Sequence, residues 1–353
     1  MLKLKEDINW EVIIESVKSG SCMLFLGPEA VALPDGTPIY HAALEHIKNK
    51  YSKDITFYTG EEFLHPHRSS LNGSINMGIS SFYNQQQIPT IFEAIAEIPF
   101  YFILNASPDN YLKQVFEQKK NFKFHAAYYE VEAVQKEIND ISKERPLLYN
   151  IFGTVEKPSS LIFTHDNLFK FLFSIIGKDN FKMHQTVTSQ FQNATFLVFL
   201  GFKFEKWYIK LLLRLLGIHE SEIEKNAMGF VQHSGDSETK NFFYQHFNVE
   251  FVESHIQEFV TELHKRCAES NLLRDFTKTH QNPHKEKFFD MIDELDIAQF
   301  FEQIELLSLS SEEKIKLNIF RQEFIGGQAK NDIYYHSRLK TFVQELSFPA
   351  NSR

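Results

Sequence analysis

Cys22-Met-Leu-Phe-Leu-Gly27 is the stretch whose reading decides the fold. Five consecutive apolar residues follow the breaker Ser19-Gly20-Ser21 and stop at a glycine. A short, continuous apolar run bounded by breakers is the pattern of a strand buried on both faces, which is the environment of a parallel sheet. Upstream, Trp10 to Lys18 carries apolar residues at helical spacing, with Asp7 or Asn9 placed to cap it. Downstream, Ala42 to Lys50 resumes a helical pattern. The segment therefore reads helix, strand, glycine turn, loop, helix.

Three further runs share this character: Phe100 to Leu104 leads into Asn105-Ala-Ser-Pro-Asp109, Leu147 to Phe152 into Gly153-Thr154, and Phe196 to Leu200 into Gly201-Phe202. Helical stretches separate them at Asn110 to Gln118, Asp166 to Gly177 and Lys206 to Leu216, and two more strands are expected at Ala227 to Gln232 and Val249 to Val252. Such alternation predicts an α/β domain, a Rossmann-like parallel sheet with helices on both faces. In these sheets ligands bind in the crevice outside the carboxyl ends of the strands, so the four punctuated turns are expected to share a site. Glu130 to Arg145, polar but with Val131, Val134, Ile138 and Ile141 at helical spacing, reads as a partly exposed helix or a mobile insertion. Residues 271–285 lack periodicity and read as a linker. Beyond them, Phe288 to Leu309, Ser311 to Phe324 and Asp332 to Leu346 read as short helices, with Ser310-Ser-Glu-Glu313 as a start signal. The expected organisation is thus an α/β domain over 1–270, a linker over 271–285 and a small all-helical domain over 286–353.

A chain of 353 residues exceeds the size at which one core usually stops growing, in keeping with two domains. The 36 Phe against 2 Trp point to a core filled largely by Phe. A net charge of -9 without a basic stripe argues against direct nucleic-acid binding. Two cysteines, Cys22 and Cys267, are too few for a disulfide framework or a four-thiolate zinc site, and a reducing cytoplasm is the expected location. No apolar run reaches the roughly 18 residues of a membrane span, and Met1 to Trp10 is unlike a signal peptide. No His, Asp and Glu show metal-ligand spacing along the chain, so no metal site is expected.

The order of the turns resembles the bacterial sirtuin-like domains of antiphage and conflict systems. The segments that carry the resemblance are Phe25-Leu-Gly-Pro-Glu-Ala30, Leu104-Asn-Ala-Ser-Pro-Asp109, Tyr149-Asn-Ile-Phe-Gly-Thr154 with Ser160-Leu-Ile-Phe-Thr164, and Leu197-Val-Phe-Leu-Gly-Phe-Lys-Phe204, spanning roughly residues 10 to 265. What the resemblance implies is a site for NAD or an ADP-ribose-type nucleotide. Gly27, Pro28 and Glu29 would lie against the pyrophosphate, with free backbone amides turned toward it. Glu29 stands where the family has glycine and needs a ribose hydroxyl or a basic partner, or serves as a helix cap. Asn105 and Asp109, with Ser107 at the family's key Asn, match the turn that holds the carboxamide and ribose and are the candidate catalytic pair. The same residues read equally well as the N-cap of the following helix. Phe152 occupies the place of the family's general-base His, and a phenyl ring accepts no proton. Gly153 fits a close backbone approach, Gly201 and Phe202 end the last strand beside the nucleotide, and Trp207 is placed either to stack on adenine or to join the core.

Two functions follow from the resemblance. One is an effector or sensor of bacterial defence that binds NAD or a related adenosine nucleotide, with cleavage to nicotinamide and ADP-ribose left open. The other is a catalytically inactive scaffold that recruits a protein partner through its C-terminal helices, which resemble effector-associated domains. Self-association into a homo-oligomer is left open, and zinc-dependent deacylation is not expected.

Overall fold

The structure, a computed structural model, describes residues 2–3, 8–58, 60, 62–120, 122–176, 182–218, 226–231, 237–276, 288, 291–292, 297–305, 309–326 and 333–346. The chain divides into two compact units, Met1–Phe276 and Thr277–Arg353.

Among the described residues the first unit has ten strands: β1 (Leu2–Lys3), β2 (Cys22–Leu26), β3 (Ile55–Tyr58), β4 (Phe63–Pro66), β5 (Phe102–Asn105), β6 (His125–Tyr128), β7 (Leu147–Asn150), β8 (Phe196–Leu200), β9 (Asn226–Val231) and β10 (Val249–Glu253). Eight of them form one sheet in the order β1-β10-β9-β8-β2-β5-β7-β6, and every pairing in it is parallel. β3 and β4 form a separate antiparallel hairpin. The predicted Rossmann-like arrangement is therefore observed.

Strand alternation explains why the quoted run had to be a strand. Cys22, Leu24 and Leu26 point into one core together with Ile103, Leu148, Val198 and Met228. Met23 and Phe25 point into the opposite core with Phe102, Leu104, Leu147, Leu197 and Phe199. Residues with side-chain period two that meet apolar partners on both faces must be apolar throughout. The first core is closed by helices Trp10–Lys18, Ile39–Lys50, Asn72–Asn84, Ile91–Glu97, Tyr111–Gln118 and Ile256–Glu269, the second by His165–Ile176, Gln185–Asn193, Trp207–Leu215 and Ser237–Phe247. The second face is where the phenylalanines collect: Phe25 lies 4.4 Å from Phe199 and Phe102 lies 5.3 Å from Phe191, ring centre to ring centre. Each such buried side chain contributes roughly 1.5–3 kcal/mol.

Residues 130–145 form no helix, correcting that part of the expectation. Glu132 and Asp140 adopt left-handed backbone, at φ 57° and 57°, which no helix tolerates. The segment is pinned instead by tertiary hydrogen bonds: the Ile138 amide donates to Thr186 Oγ1, and Lys143 Nζ donates to the Lys18 carbonyl. The first unit also runs on to Phe276, through residues assigned from sequence to the linker. Leu272, Leu273 and Phe276 pack on the first core, so this polar-looking stretch is held by apolar contacts. Of that linker, residues 277–285 lie outside the described residues, as do Gln232 and Gly177, the expected last residues of a strand and a helix.

The second unit contains helices Ile297–Ile304, Ser311–Ile325 and Ile333–Glu345. The predicted start signal is a complete capping box: the Glu313 amide donates to Ser310 Oγ and the Ser310 amide to Glu313 Oε2. Phe288, Phe300, Phe301, Phe320 and Phe342 are all buried in its core. Among the described residues, the large apolar side chains it exposes are Ile315, Ile319 and Ile325.

Candidate functional site

β8, β2, β5 and β7 are consecutive neighbours in the sheet and all parallel, so the turns that follow them lie side by side along one edge. Gly201, Gly27, Asn105 and Gly153, read from sequence as one constellation, are thus brought to the same edge. The chain runs outward from β2 through β5, β6 and β7, then returns to lay β8 on the other side of β2. The strand order reverses between β2 and β8, which is where open α/β sheets form their ligand crevice.

The chain itself fills that point. The Gly27 amide donates to the Leu200 carbonyl at 2.7 Å, the Glu29 amide to the Gly201 carbonyl at 3.1 Å, and the Ala30 amide to the Gly27 carbonyl at 3.0 Å. Pro28 has no amide hydrogen to offer. The expectation of free amides facing a pyrophosphate is therefore not met by Gly27, Glu29 and Ala30: the turn after β2 gives the first two donors to the end of β8 and the third to itself. Phe202 is buried against Phe25 and Phe199, and Gly153, at φ 81°, is approached by the Ser160 backbone.

The turn after β5 is buried and bonded to itself. Asn105 Oδ1 accepts the Ser107 amide at 2.9 Å, and Asp109 Oδ1 accepts the Tyr111 amide at 3.2 Å, so Asp109 serves the first turn of helix Tyr111–Gln118. Asn150, from the end of β7, donates its Nδ2 to the Ser107 and Asp109 carbonyls at 3.1 and 2.9 Å. Sequence reasoning passed over Asn150, although its position one strand away from Asn105 in register is a usable signal. Asp109 is 2% exposed. Burial pushes its carboxyl up, against hydrogen bonds from Ser107, the Tyr111 amide and Asn105 that pull it down.

Phe152 is 7% exposed and packs against Phe171 and Tyr208, with ring centres 5.2 and 6.2 Å away. Burial pushes the nearby Tyr149 hydroxyl far above its ordinary range. His165 is packed on Phe63 and Phe169, and Thr164 Oγ1 accepts the Asn167 amide as the cap of its helix. Trp207 keeps a 40% exposed ring beside Phe169.

Glu29 turns to basic partners. Glu29 Oε1 lies 2.6 Å from His41 Nε2 and 2.8 Å from Lys203 Nζ, while Lys203 Nζ also lies 2.6 Å from Glu62 Oε1. Burial alone would raise the Glu29 carboxyl, but the hydrogen bonds and charge of His41 and Lys203 hold it below the usual carboxylate range. Lys206 joins the group, 2.6 Å from the Gly60 carbonyl and 3.5 Å from Glu62 Oε2. The ligand atoms of Glu29, His41 and Glu62 lie within 4.8 Å of one another, a grouping that spacing along the chain does not reveal. A metal is a poor fit there, because the Lys203 ammonium already stands 2.8, 2.6 and 3.3 Å from Glu29, Glu62 and His41.

These placements set a parallel sheet, a glycine turn on each side of its reversal point and a polar Asn-to-Asp turn beside them. Residues 103–252 match the family model of the SIR2-like domain. Over these residues the chain is similar to a SIR2-like domain. The match runs from within β5 to within β10 and includes Asn105, Ser107, Asp109, Phe152, Gly153, Gly201 and Phe202. No curated protein matches the sequence. Among the described residues, no helix is long and apolar enough to cross a membrane.

Proposed function

We infer that the sirtuin-like unit takes an adenine nucleotide of the NAD type as a ligand and does not cleave it, and that it acts as a sensor in bacterial antiphage defence whose output passes through the C-terminal helices. The observation that carries the loss of cleavage is Phe152. A general base must titrate and must reach its proton, whereas this ring is sealed between Phe171 and Tyr208. Asn105 and Asp109, the remaining candidate catalytic pair, have their acceptor oxygens engaged by the Ser107 and Tyr111 amides. Their role in this reading is to shape the turn beside the ligand. In the helical unit, Ile315 and Ile319 stand one turn apart on an exposed face, a surface suited to a protein partner.

The deciding experiment measures nicotinamide release from NAD at high protein concentration beside calorimetric titration with ADP-ribose. Binding without turnover is the expected result, and turnover would restore an NAD hydrolase. A second reading, a scaffold without a nucleotide, is favoured by the engagement of the Gly27, Glu29 and Ala30 amides with backbone carbonyls. Absence of binding for every adenine nucleotide would establish it.

A further inference from the structure

We propose that Lys203 and Lys206 form the site that receives the phosphate groups of the nucleotide, and that the Glu62 carboxylate occupies this site in the ligand-free protein. The inference rests on the nucleotide-binding reading above and gives the phosphates side-chain ammonium donors beside the glycine turn in place of its backbone amides.

With the amides of Gly27, Glu29 and Ala30 spent, an anion at the reversal point needs other donors. Two ammonium groups stand there, on the turn between β8 and helix Trp207–Leu215. Lys206 is the N-cap residue of that helix, and its side chain makes no cap bond. The first amides of a helix carry partial positive charge, which adds to that of the two lysines on the adjoining turn. The Lys203 and Lys206 side chains are 32% and 12% exposed, and Glu62 is 13% exposed. Removing such charges from water is costly, and apolar side chains would hold the same surfaces together as well or better. The pairing therefore has a purpose other than stability.

Glu62 shows what that purpose is. It sits at φ 62°, a left-handed backbone that a residue with a side chain adopts only when its surroundings impose it, and such strain collects at functional sites. Its amide donates to the Tyr58 carbonyl and its own carbonyl accepts Tyr40 Oη at 3.0 Å. The backbone is thereby held so that one carboxylate oxygen faces Lys203 and the other faces Lys206. A carboxylate bridging two ammonium groups is the geometry in which a phosphate group bridges them. Glu29 holds Lys203 from the other side. Trp207, with its exposed ring directly after Lys206, offers a face for the base of the same ligand.

The test titrates the wild-type chain, Glu62→Gln and the Lys203→Met/Lys206→Met double variant with ADP-ribose and, separately, with inorganic pyrophosphate, after circular dichroism has shown each variant folded. Glu29→Gln replaces Glu62→Gln should the latter fail to fold, since it also frees Lys203. The expected result is at least tenfold tighter binding of both probes by Glu62→Gln and loss of both by the double lysine variant. ADP-ribose binding of equal strength in all three proteins overturns the inference and leaves the nucleotide reading intact. Pyrophosphate binding that follows the expected pattern while ADP-ribose does not bind supports the anion site and removes the nucleotide. Failure of both probes in wild type and Glu62→Gln alike overturns both.

Discussion

Gly27 and Gly201 meet backbone against backbone where β2 and β8 end. A Cβ on Gly27 would stand 2.2 Å from the Gly201 carbonyl oxygen, and a Cβ on Gly201 would stand 2.1 Å from the Ala30 nitrogen. Neither contact can be relieved by turning a side chain, because backbone lies on both sides. Gly201 also has φ 73°. Gly201→Ala is therefore expected to cost about 3 kcal/mol or more, from left-handed strain plus displacement of the neighbouring turn. Gly36→Ala is the control: it has φ 86° with nothing within 4 Å, so strain alone should cost about 1–2 kcal/mol. Urea unfolding of both variants measures the difference, and equal losses would mean that the two turns separate easily.

Phe152→His tests the proposal that the missing base at this position is what stops cleavage. The ring leaves an apolar nest of Phe171 and Tyr208, so stability should fall by about 1–3 kcal/mol. Nicotinamide release is expected to stay at background, since the Asn105 and Asp109 oxygens remain committed to the Ser107 and Tyr111 amides. Detectable release from this variant would show that one aromatic ring was the whole block.

The parallel strands were legible in the sequence because both faces of each are buried, which leaves an uninterrupted apolar run such as Phe196 to Leu200. The hairpin of β3 and β4 was not, because Thr56, Tyr58 and His65 face outward and dilute the apolar signal. Residues 130–145 mimicked a helix through the spacing of Val131, Val134, Ile138 and Ile141. Spacing says nothing of the hydrogen bond from the Ile138 amide to Thr186, made far along the chain. The turns of the site were legible for the same reason as the strands they end. The Glu29, His41, Glu62 and Lys203 cluster was not, since its members come from four separate stretches and none is distinctive alone.

Asp109 and Glu29 should give stability opposite dependences on pH. The folded Asp109 carboxyl titrates above its ordinary value because it is buried, so the fold prefers it protonated. Its contribution is full below the unfolded pKa and is lost as pH rises through the folded one. Glu29 titrates below its ordinary value, so its contribution is present above the unfolded pKa and is lost as pH falls through the folded one. Melting temperatures followed from pH 3 to 7 should show Asp109→Asn gaining on wild type as pH rises, and Glu29→Gln losing ground over the same range. Parallel profiles for wild type and Asp109→Asn would place that carboxyl in water.

Arg274 should prove the most sensitive single side chain in the first unit. Its Nη1 donates to the Ala96 and Ile98 carbonyls at 2.8 and 2.6 Å, its Nη2 to the Phe100 carbonyl, and its Nε to the Lys143 carbonyl at 3.1 Å. The guanidinium also lies over the rings of Phe116 and Phe122. It thereby ties the last residues of the unit to the chain entering β5 and to the 130–145 segment. Arg274→Met keeps the apolar stem but takes this donor from the Ala96, Phe100 and Lys143 carbonyls, while the Ile98 carbonyl keeps the Phe100 amide, at about 1–3 kcal/mol for each carbonyl that water cannot reach. Arg274→Lys should rescue little, because an ammonium cannot spread planar donors over carbonyls on separate segments. Loss of the folded state in Arg274→Met at 37 °C, with Arg274→Lys close behind, is the expected outcome by thermal melting. Recovery of most of the stability by lysine would assign the residue's weight to its charge and stem, and not to the fork.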